Sequence, residues 1–93
     1  MPIEGSDFTI NIEAPEDLTG AAVTIEYRMP NNQILDGIEP TDVDEESNII
    51  TYSMANTITT KGTWKVWAKI VNTDGKITYT EPPESVNFKG RGL

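Results

Sequence analysis

An all-β fold is what this 93-residue sequence predicts, and three observations predict it. Apolar and polar residues alternate with period 2 along several short segments, the spacing of a half-buried strand. Turn-forming residues punctuate those segments about every 8–12 residues. No segment carries apolar residues at the 3.6-residue period of a helix long enough to matter. About seven short strands in this pattern read as a β-sandwich of immunoglobulin-like type, with a small β-barrel as the second choice. Residues 1–93 are expected to form one domain, because a chain of this length builds one modest core.

The elements follow in order. Phe8, Ile10 and Ile12 alternate with Thr9, Asn11 and Glu13 in a first strand. APEDLTGA then turns the chain, with Pro15 and Gly20 as breakers. Val23, Ile25, Tyr27 and Met29 alternate with Thr24, Glu26 and Arg28, the cleanest strand pattern in the chain. In PNNQ, Asn31–Asn32 suit the positive φ angles of a tight hairpin turn, and a strand over residues 33–38 returns from it. EPTDVDEESN reads as a charged loop. Ile50, Tyr52 and Met54 mark the next strand, and ANTITTKG is a polar connection in which Ile58 is the expected anchor. A long strand over residues 63–71 leads into NTDG, where Asp74–Gly75 suits a two-residue turn. Ile77 and Tyr79 begin the return. Pro82–Pro83 then interrupts it, as an edge or a change of pairing would require. Val86 and Phe88 form a last strand before the Gly-rich KGRGL.

The long strand holds both tryptophans, three positions apart, so they point to opposite faces. One face is Trp64, Val66, Ala68 and Ile70. It is uniformly apolar and must look inward, which makes Trp64, Val66 and Ile70, with Val23, Ile25 and Tyr27 from the earlier strand, the expected core anchors. The other face presents Trp67 between Lys65 and Lys69. Three roles suit that indole: cover by the lysine stems with cation–π attraction, a protein–protein contact, or a stacking platform for a sugar or a nucleic acid.

Composition narrows the chemistry. The chain has no Cys and no His, which excludes disulfides, the usual zinc ligand sets, a Cys–His pair and a Ser–His–Asp triad. No general base is placed to activate a Ser or Thr, so the chain is expected not to be an enzyme and to need no cofactor. The net charge of −8 is unevenly spread: residues 1–46 hold 12 acidic and 1 basic residue, and residues 47–93 hold 3 acidic and 6 basic. An acidic protein is a poor match for nucleic acid, and such asymmetry favours head-to-tail packing or an oppositely patterned partner, unless one sheet or edge is simply acidic. The apolar runs are too short to span a membrane. MPIEGSDF lacks the basic and apolar regions of a secretory signal, so synthesis in a cytoplasm is expected. Asp42, Asp44, Glu45 and Glu46 crowd one loop without the spacing of an EF-hand, so a solvated loop is the first reading and a Ca²⁺ site the second. Glu16 and Asp17 are adjacent carboxylates of the same ambiguous kind.

DLTGAAVTIEYRMPNNQ (17–33) resembles the DLTGATV…I.YRKPDG opening of small tailed-phage proteins. IITYSMANTITTKGTWKVWAKIVNTDGKI (49–77) is similar to their later I.YT…AGTW.L.AYV…G segment, and related patterns occur in N-terminal domains of phage baseplate upper proteins. The resemblance runs from Phe8 to Phe88. It implies an immunoglobulin-like virion protein, made in the host cytoplasm, that contacts other phage structural proteins in many copies, in a tail, neck or baseplate or on the capsid surface. It brings no catalytic residue. Its shared positions, Leu18, Gly20, Val23, Ile25, Gly62 and Trp64, look like turn and core residues. The chain departs from the pattern at PNN, at Lys61 and at Trp67. Lys61, Lys65, Trp67 and Lys69 are therefore the candidate partner-contact residues.

Overall fold

A computed structural model describes residues 3, 5–55 and 59–90; Ile58 and most of the GRG end lie outside them. Among the described residues there are eight strands: β1 (Phe8–Glu13), β2 (Ala22–Arg28), β3 (Ile34–Ile38), β4 (Asp42–Asp44), β5 (Ile49–Met54), β6 (Gly62–Val71), β7 (Ile77–Tyr79) and β8 (Glu84–Phe88). They form two antiparallel sheets packed together as a β-sandwich. One sheet has the order β1-β5-β4, the other β3-β2-β6-β7, with β8 also paired to β6. Neither sheet closes on itself, so the architecture is the sandwich and not the barrel.

Register explains which residues meet. In the small sheet Ile10 opposes Tyr52 and Ile12 opposes Ile50, which places the apolar set of both strands on one face. In the large sheet Val23 opposes Ile70, Ile25 opposes Ala68, and Tyr27 opposes Val66; farther along, Trp64 opposes Val86. These two inner faces, joined by Leu18, make one continuous core, with Val23 partly buried against it. A run of aromatic rings ties the sheets together. Tyr52 stacks on Tyr27 at 6.5 Å, and Trp64 meets Tyr27 edge-on at 5.1 Å. Phe88 meets Trp64 at 6.4 Å and Phe8 at 5.8 Å.

Three connections differ from the sequence reading. The charged loop contains a strand: Asp42–Asp44 pairs with the edge of β5, because Val43 opposite Ile50 has apolar surface to cover. Both hairpins have three-residue loops. Asn32 donates its N–H to the Met29 carbonyl, and Met29 N–H reaches Gln33 O. Gly75 N–H likewise reaches Asn72 O, and Asn72 N–H reaches Lys76 O. Each loop carries positive φ at its last residue, 70° at Asn32 and 87° at Gly75, so Asn31 and Asp74 are not the left-handed positions. Their side chains instead accept the N–H of Gln33 and of Lys76. Within the described part of the 55–61 connection, the anchored residue is Thr59, whose buried hydroxyl donates to Ser6 O at 2.8 Å.

Two turns shared with the resemblance have a steric basis. Ala21 N–H closes a turn on Leu18 O, with Gly20 at φ 73°. Leu18 is driven inward, and its N–H is held by Asn48 Oδ1 at 3.2 Å. Gly62, at φ 119°, lies so close to Pro30 that a Cβ there would sit 2.6 Å from the proline ring. The Gly of GTW is therefore required by the neighbouring hairpin.

Candidate functional site

The outer face of the large sheet gathers three of the four candidate contact residues, Lys65, Trp67 and Lys69. Reading across the ladders gives its rows: Ala22, Val71 and Ile77; then Thr24, Lys69 and Tyr79; then Glu26 and Trp67; then Ile34, Arg28, Lys65 and Ser85. Ile34 is 57% exposed, Ile77 52% and Tyr79 49%, so this face carries apolar and aromatic surface in solvent. Trp64 on the same strand is fully buried, and its indole N–H donates to Thr60 O at 3.0 Å.

Trp67 is half-buried, and what orients it is a carboxylate. Its indole N–H donates to Glu26 Oε1 at 3.0 Å, across the β2–β6 ladder. That bond fixes the ring on the sheet. Lys65 and Lys69 flank it on the same face, each half-buried. Lys61 is exposed and precedes β6; six residues from Trp67, it is about 20 Å away along an extended strand, so the structure does not bring it to the patch.

The sequence did not announce a cleft beside Trp67, and its origin is a change of register. Lys69 opposes Tyr79, but Val66 opposes Glu84. Two residues of β6, Trp67 and Ala68, therefore face four, residues 80–83, which include the two prolines and a cis Glu81–Pro82 bond. The surplus bulges outward. Thr80 N–H still reaches Ala68 O at 3.0 Å, but the return bond is made by a side chain: Ala68 N–H donates to the buried Thr80 hydroxyl at 2.9 Å. The bulge leaves a shallow cleft of about 170 Å³ lined by Trp67, Tyr79, Thr80, Glu81 and Pro83.

No family model, curated protein or solved structure matches this chain.

The acidic candidates have other partners. Asp44 accepts the backbone N–H of Glu46 at 3.0 Å and of Ser47 at 3.3 Å. The Ser47 side-chain and backbone bonds, then that of Glu46, hold its carboxyl below the usual range. Asp17 is lowered in the same way, first by the Thr19 backbone and then by its hydroxyl. Glu16 turns aside to accept from Asn72 Nδ2 at 3.3 Å, so it and Asp17 do not form a pair. These carboxylates build turns, and among the described residues no group of three or more potential ligands is arranged to hold a metal. The outer face of the small sheet is polar: Thr9 bonds Ser53, and Thr51 donates to Asn11. Glu13, Asp42 and Asp44 share that side by register.

Proposed function

We propose that this chain is a non-enzymatic structural protein of a tailed-phage virion that works by repeated protein–protein contact. Its place is an accessory or adaptor position in tail, neck or baseplate, with capsid decoration as the alternative. The observation that carries the reading is the exposed face of the large sheet, where Trp67, held by Glu26, sits among Tyr79, Ile77, Ile34 and two lysines. A fixed aromatic ring ringed by cations and apolar side chains is the composition of an interface hot spot. The resemblance of residues 17–33 and 49–77 to small tailed-phage proteins supplies the virion. Mass spectrometry of purified particles of the phage that encodes the chain tests it: the chain is expected in many copies per particle, and its absence overturns the role.

A second reading has one observation in its favour. The cleft of Trp67, Tyr79, Glu81 and Pro83 pairs two aromatic side chains with a carboxylate, a chemistry suited to a sugar ring or a cell-surface receptor. The substitution Trp67→Ala separates the two. Loss of incorporation into particles with an unchanged melting curve supports the structural role. Saturable binding on a glycan array, lost in the same variant, supports the binding module.

A further inference from the structure

The two outer faces of the sandwich point in opposite directions and differ in charge: cations line the central strands of one, and the charged residues of the other are all acidic. On the large sheet, Arg28, Lys65 and Lys69 run along the central strands with Glu26, whose Oε1 is engaged by Trp67, while Glu81 lines the cleft beside that ring. Among the described residues, none of those three cations forms an ion pair within the chain. On the small sheet, Glu13, Asp42 and Asp44 share the outward side with Thr9, Asn11, Thr51, Ser53 and half-buried Ile49, and no Lys or Arg lies on its strands. Three acids from residues 1–46 thus share one surface of the fold, and two lysines from residues 47–93 share the opposite one with Arg28.

From this complementarity we propose that the occupant of the Trp67 face is the small-sheet face of a second copy of this chain. The inference rests on the contact face of the preceding section and names its partner. Lys65 and Lys69, four residues apart on β6, are about 13 Å apart; Glu13 and Asp44 flank β5 at about 10 Å. Long lysine side chains span the difference. Trp67 lies between the two lysines on one side, with Tyr79 next to Lys69, and Ile49 lies between Glu13 and Asp44 on the other. Because each copy uses one face as donor of positive charge and the other as acceptor, the contact is heterologous. It adds copies in a ring or a stack and does not stop at a two-fold dimer. Like faces repel, which selects against the alternative pairing.

Sedimentation velocity tests this with the protein as it is. Wild type is expected to self-associate as its concentration rises from about 10 μM to 1 mM, the range of weak interfaces. Raising salt from about 50 to 500 mM is expected to weaken that association about tenfold, since the Debye length shortens past the spacing of the charges. Two double variants follow, Lys65→Glu with Lys69→Glu, and Glu13→Lys with Asp42→Lys. Each alone is expected to remain monomeric, and an equal mixture is expected to associate again, because each then offers the other a complementary face. Wild type that stays monomeric at low salt overturns the inference. So does association insensitive to salt, or a mixture that stays apart. A chain found in particles but monomeric in solution sinks this inference and leaves the virion role standing. Self-association with absence from particles does the reverse.

Discussion

Replacing Trp64 by Ala removes the largest side chain in the core, and the cost can be worked from its surroundings. The residue is fully buried, touches Tyr27 and Phe88 edge-on, and spends its N–H on Thr60 O. Truncating a buried Trp costs about 3–5 kcal/mol in transfer and cavity terms. A chain of 93 residues holds about 5–14 kcal/mol in all. Its unfolding entropy near the midpoint is about 0.2 kcal/mol per kelvin, so a loss of 4 kcal/mol lowers the melting temperature by about 20 °C. Trp67→Ala loses a partly buried ring and one part-buried hydrogen bond to a carboxylate, worth about 2 kcal/mol and about 10 °C. Thermal melts followed by far-ultraviolet circular dichroism compare the two variants with wild type. If Trp67→Ala melts at or below Trp64→Ala, β6 is out of register by one residue and the assignment of inner and outer faces is wrong.

The other expectations concern the bulge, a close contact and the buried tyrosines. Thr80→Val keeps the shape but strands the Ala68 amide, so the urea midpoint should fall by the equivalent of about 1–3 kcal/mol. Thr80→Ser, which keeps the hydroxyl, should recover most of it; equal losses in the two variants would mean the hydroxyl is not the partner. Gly62→Ala forces a methyl against the Pro30 ring at positive φ, and should cost about 2–4 kcal/mol in the same assay. Adding Pro30→Gly should return part of that, and no recovery would place the clash elsewhere. Burial raises the hydroxyls of Tyr27 and Tyr52 above their ordinary value, with Tyr27 also raising Tyr52. Their contribution to stability is complete below the unfolded value of 10.0 and is lost as pH rises through the higher folded values. Denaturation midpoints should therefore drop on the alkaline side, and a midpoint flat through tyrosine ionisation would refute the burial of these hydroxyls.

Strands with four or more alternating residues were legible because burial of one face writes itself into the sequence at period 2. Trp64 and Trp67 were separable on that ground alone. β4 was not, since Asp42–Asp44 has a single apolar residue and looks like any acidic loop until Ile50 is known to lie opposite. Loop length was not legible either: NTDG is compatible with a two- or three-residue hairpin, and the choice depends on whether Asn72 or Thr73 closes it. Glu26 as the partner of Trp67 requires knowing that β2 and β6 are neighbours, which no local pattern encodes. Thr59 and Thr80 were invisible for a related reason. A buried hydroxyl is placed by the backbone group the fold leaves unpaired, and that is a property of the assembled sheets.

The surplus at residues 80–83 links chain length to the shape of the cleft. Because the excess over the β6 ladder is two residues, Val86 and Phe88 keep the inward orientation they would have in an unbroken strand. Deleting a single residue between Thr80 and Glu84 would leave a one-residue surplus, the size of an ordinary bulge, with Val86 and Phe88 held inside by their burial. Deleting two would let β7 run straight into β8 and flatten the wall of the cleft beside Trp67. A form shorter by two residues here should therefore keep the fold and lose the concavity.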